Sequence, residues 1–99
     1  MALVNVAWVA ENRTVPPTVP PLDSWKVAIG LPGAPDIASV VINDLTVRAA
    51  DLDVSDGVGY IATVGLISAD GSVTGPAASS VPFDVATLPV PVSVSVTIP

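Results

Sequence analysis

Residues 88–98 read Leu-Pro-Val-Pro-Val-Ser-Val-Ser-Val-Thr-Ile. Apolar side chains at Leu88, Val90, Val92, Val94, Val96 and Ile98 alternate with Pro89, Pro91, Ser93, Ser95 and Thr97. A period of two residues sends alternate side chains to opposite faces of an extended chain, so this is a strand pattern. Its apolar face needs a sheet or a partner to cover it. Prolines at 89 and 91 stiffen the entry and remove two amide donors there.

The same grammar runs through the rest of the chain. Of 99 residues, 51% are hydrophobic and only 12% charged, with 11 prolines and 7 glycines as punctuation. Valine alone contributes 19 residues, and its β-branched side chain favours strands. No window has the period of a long helix, so the fold class is all-β. The apolar content excludes a disordered chain. No apolar run approaches the ~18 residues of a membrane helix. No cationic segment with a long apolar core opens the sequence, so no secretory signal is expected.

Further strands are expected at 3–9, 24–29, 37–42, from Leu45 to Arg48 onward, 60–67 and 80–86. In the first, Val4, Val6 and Trp8 share a face. Trp25, Val27 and Ile29 do so in the second, and Leu45 and Val47 are expected inward in the fourth. Residues 51–59 read as a turn-rich connection. Tyr60, Ala62, Val64 and Leu66 share a face in the fifth strand. Val81, Phe83 and Val85 point one way in the sixth, where Pro82 suggests an edge. Residues 14–21 contain two Val-Pro-Pro units. They read as a stiff extended loop rather than a docking motif, lacking the usual length and flanking cation.

Short strands divided by turns suggest a β-sandwich. Several stretches resemble a fibronectin type III domain. Val4-Asn-Val6-Ala-Trp8 is similar to the strand that the family closes with tryptophan, and Trp25-Lys-Val27-Ala-Ile29 to the strand after it. Val54-Ser-Asp-Gly57-Val-Gly-Tyr60 matches the family's corner, with Asp56 where proline is usual. Gly71 and then Gly75-Pro76-Ala-Ala-Ser79 form a looser match. The resemblance covers 3–86 and implies that Tyr60 is a tyrosine-corner residue bonding to upstream backbone.

Two departures stand out. The family's first strand has no counterpart before Trp8, and the 88–98 strand is surplus. The expected organisation is therefore an immunoglobulin-like sandwich over 1–87 and a separate C-terminal strand over 88–99. That strand completes either its own sheet or a neighbour's. The rigid Leu88-Pro-Val-Pro hinge favours the neighbour.

Chemistry is scarce. Without cysteine or histidine there are no disulfides, thiol nucleophiles, imidazole bases or Cys/His zinc sites. Lys26 sits between Trp25 and Val27, a solvent-facing strand position unsuited to activating a serine. Asp51, Asp53 and Asp56 begin with the spacing of a calcium loop. The required glycine comes one residue late and position twelve is Ala62, so a solvated turn is the better reading and no metal site is expected. Asn12-Arg13-Thr14 fits a glycosylation sequon, which carries no weight without a secretory signal. No phosphate-binding glycine loop is present. Net charge is −6, with Arg13, Lys26 and Arg48 the sole cations, which opposes binding to nucleic acid or anionic membrane.

These features suggest no enzyme and no cofactor. A free-standing domain of this kind resembles small phage virion proteins, whether capsid decoration (cement) or tail accessory components. By that analogy the partner is a major capsid or tail protein, or further copies joined by strand addition, and the location is the virion assembled in a host cytoplasm. A carbohydrate- or cell-surface-binding module from a larger extracellular protein is the competing reading. It is weakened because Trp8, Trp25, Tyr60 and Phe83 all fall on inward faces.

Overall fold

The computed structural model describes residues 2–98. Among them there is no helix, and therefore none long and apolar enough to cross a membrane. Seven antiparallel strands form two sheets: β1 (Ala2–Ala7), β2 (Leu22–Gly30), β3 (Asp36–Ile42), β4 (Ala49–Val54), β5 (Gly57–Ser68), β6 (Thr74–Ser79) and β7 (Phe83–Val85). The smaller sheet is β1 against β4, and the larger runs β3-β2-β5-β6, with β7 continuing along β5.

Both sheets contribute to one core. Val6 on β1 and Leu52 and Val54 on β4 meet Val27 and Ile29 on β2, Tyr60 and Ala62 on β5, and Val85 on β7. Val27 and Ile29 are fully buried because β2 is central and its alternation matches its neighbours.

The fourth strand lies later than the sequence suggested. Residues 45–48 are not a strand, and Leu45 is exposed. Asp44 accepts from the Thr46 amide at 2.9 Å and its hydroxyl at 2.6 Å, and the Val47 amide reaches the Asp44 carbonyl at 3.3 Å. Those bonds curl the segment into a turn. The strand is instead carved from the stretch read as a connection: Leu52 and Val54 turn inward while Asp51 and Asp53 stay in solvent.

The expected 80–86 strand is also corrected. Pro82 falls between β6 and β7, and Val81 is 80% exposed rather than sharing the inward face of Val85. The Ser80 hydroxyl accepts the Ala62 amide at 3.0 Å, and the Ser80 amide donates to the Ala62 carbonyl at 2.8 Å. The proline thus interrupts the strand without orphaning β5.

Gly57 and Tyr60 define the corner that follows β4. The Tyr60 hydroxyl donates to the Ser55 carbonyl at 3.0 Å. Its ring lies so near Gly57 that a Cβ there would sit 2.7 Å from Cζ, so the position requires glycine.

Candidate docking site

Residues 86–98 follow β7 as extended chain without any strand partner. The 88–98 period therefore marks a strand that is not formed here, and it does not complete the chain's own sheet. Leu88 is 71% exposed, Val90 74%, Val92 96%, Val94 87%, Val96 85% and Ile98 86%. The segment gives the molecule a long axis of 74 Å and a radius of gyration of 18.0 Å. A compact chain of this length has a radius near 13 Å. The accessible surface is 7005 Å², against about 5200 Å² for a compact monomer of this mass.

The segment is free but its root is fixed. Asp56 Oδ1 accepts from the Thr87 amide at 3.1 Å and from its hydroxyl at 2.9 Å. The Thr87 amide and then its hydroxyl hold the Asp56 carboxyl below the usual carboxylate range.

On the body, β1 pairs only with β4, so its other edge is unpaired among the described residues. The Trp8 amide donates to the Arg48 carbonyl at 2.9 Å, continuing the β1–β4 register. In an antiparallel ladder the bonding direction alternates. Ala2, Val4 and Val6 thus bond β4, while Leu3, Asn5 and Ala7 aim their amides and carbonyls at the open edge.

The Trp8 end of that edge opens onto a groove. An open groove of about 1080 Å³ runs from Trp8 and Trp25 across Val64 and Leu66 to Ala78, with the proline-rich 9–21 loop on its rim. The tryptophan rings meet edge to face, 5.8 Å between centroids. Arg48 covers Trp25 from 5.7 Å. The Trp8 indole N–H is buried without an acceptor among the described residues.

The aspartates do not converge. Asp51 accepts from the Asn5 amide nitrogen at 2.9 Å on the outer face of β4, Asp53 is exposed on that face, and Asp56 is engaged with Thr87. No group of three possible metal-ligating side chains occurs among the described residues. Lys26 lies 3.4 Å from the Asp36 carboxylate at the surface.

Sequence reading singled out the 88–98 segment but missed the groove and the Asp56–Thr87 clamp. Both tryptophans sat on inward faces in that reading. The one available signal was a fourteen-residue connection between β1 and β2, too long for a tight turn. No protein-family model matches the chain, and neither a curated protein nor a solved structure shows significant similarity to it.

Proposed function

We propose that this protein is a non-catalytic assembly subunit that docks through its C-terminal segment, in the manner of a phage capsid decoration or tail accessory protein. One observation carries the reading: an apolar face from Leu88 to Ile98 stands in water on a segment whose root is pinned to the body. Contiguous exposed apolar surface of that kind marks an interaction site. The unpaired β1 edge and its groove are a second interaction surface on the same molecule.

Composition supports the non-catalytic part, since imidazole and thiol chemistry are unavailable. The virion assignment rests on the fibronectin-like resemblance of residues 3–86 together with the surplus strand. Sugar recognition is less well supported, because Arg48 occupies the face of Trp25 that a sugar ring would stack on.

The test is the solution mass of the full chain and of a chain ending at Thr87, by light scattering across a concentration range. The full chain should gain mass with concentration while the shortened chain stays monomeric. Identical monomers at every concentration would sink the proposal.

A further inference from the structure

Taking the C-terminal segment as a docking strand, as just proposed, we infer that its occupant site is the open β1 edge of a second copy, entered head to tail in one register.

Direction comes first. Val54 pairs with Ala2, Val85 pairs with Gly57, and Thr87 is clamped to Asp56, so the segment leaves the body at the Ala2 end of β1. To lie on its own β1 it must reverse at once and run parallel to that strand. The reversal falls on Leu88-Pro-Val-Pro, where the prolines fix φ and push the residues before them to extended conformations. Continuing straight on, it reaches a second copy at the opposite, Trp8 end and runs antiparallel to β1.

Register follows from the two patterns. Leu3, Asn5 and Ala7 offer their backbone groups to the open edge. Placing Ser95 opposite Asn5 puts Thr97 opposite Leu3 and Ser93 opposite Ala7. Each of these incoming residues has an amide to give. Val92, Val94, Val96 and Ile98 then turn inward beside Trp8, Val6, Val4 and Ala2. A one-residue slip sends the valines to solvent. A two-residue slip toward Pro91 sets that proline opposite Ala7, where a donor is needed. In the chosen register both prolines lie past the end of β1, over the groove at Trp8 and Trp25.

Size and charge agree. The chain exposes about 1800 Å² more than a compact monomer of its mass, so it has surface for a second copy to cover. Residues 88–98 carry no charged side chain, so docking desolvates none from the strand. Because donor and acceptor surfaces differ, the contact is heterologous. It builds a ring or an open filament rather than a two-fold dimer.

Crosslinking tests the register, since the chain has no cysteine of its own. Opposed residues in a hydrogen-bonded antiparallel pair have Cα atoms about 5.5 Å apart, within disulfide reach. A chain carrying both Asn5→Cys and Ser95→Cys should form a ladder of covalent dimers, trimers and longer species under mild oxidation. Mixing the two single variants should give dimers only. Leu3→Cys with Thr97→Cys should behave alike and guards against a folding defect in the first pair. Asn5→Cys with Ser93→Cys, out of register, should link at least roughly tenfold more slowly. An internally linked monomer overturns the inference in favour of closure within one chain. No ladder from either pair, while the full chain still gains mass through residues 88–99, overturns the inference and leaves the assembly role standing. No gain of mass at all overturns both.

Discussion

Thr87 is bound to Asp56 twice over, through its amide and its hydroxyl, across a separation of 31 residues. The bond pair sits between the corner after β4 and the root of the C-terminal segment. It fixes where that segment leaves the body and restricts its swing. Asp56→Ala should keep the fold but free the root. Association, read by light scattering, should then need roughly threefold or more protein, as expected when a preorganised ligand is loosened. Unchanged association would show that the clamp does not aim the strand.

The core and the C-terminal segment should respond oppositely to substitution. Ile29 is fully buried, so Ile29→Ala should cost about 2–5 kcal/mol of folding stability in chemical denaturation. Val94 is 87% exposed. Val94→Asp should leave the melting temperature of the chain at low concentration unchanged, yet abolish association. A matching loss of stability would place Val94 in the chain's own core.

At the corner, Gly57→Ala pushes a methyl into the Tyr60 ring and should destabilise by about 1–3 kcal/mol. Tyr60→Phe removes only the bond to Ser55 and should cost about 1 kcal/mol. Equal penalties would mean that the hydroxyl, not the ring's close approach, makes this corner.

Salt separates self-association from capture of a basic partner. Each copy carries a net charge of −6, all of it outside residues 88–98. Copies therefore repel, and raising sodium chloride from about 0.01 to 0.5 M shortens that repulsion. Self-association should strengthen over this range. Weakening would point to attraction between opposite charges.

The pH response should be confined to acid. Asp56 is held below the ordinary 3.8 chiefly by the Thr87 amide, Asp70 by the Ser72 amide and then the Ser68 hydroxyl, and Asp44 by the Thr46 hydroxyl. A carboxyl whose folded value is depressed adds stability above its unfolded value, and loses it as pH falls through the folded one. Without histidine, the melting temperature should be level from about pH 5 to 8 and fall below about pH 4. A step near neutrality would contradict this.

The all-β class was legible because it rests on local signals: valine alternation, turn residues and the Gly57-to-Tyr60 corner. β2 and β5 were readable because both faces of the alternation are used. β4 was not, since Asp51 and Asp53 resemble a loop until Leu52 and Val54 are seen to share an interior. The break at Pro82 needed Ser80 to take over a β5 amide, which no local pattern announces. The 88–98 segment shows the opposite limit. Its period is that of a strand, but alternation carries no address for a partner. The groove was invisible because its wall is assembled from separate strands and a long loop.

The groove also has an optical consequence. The chain contains two tryptophans, and both line it, meeting edge to face beside an unpaired edge. Every photon of indole emission therefore originates at the surface that a docked strand would cover. Occupancy should register as a spectral shift and as shielding from soluble quenchers, with no label attached. Growth of an assembly could then be followed in real time from the protein's own colour.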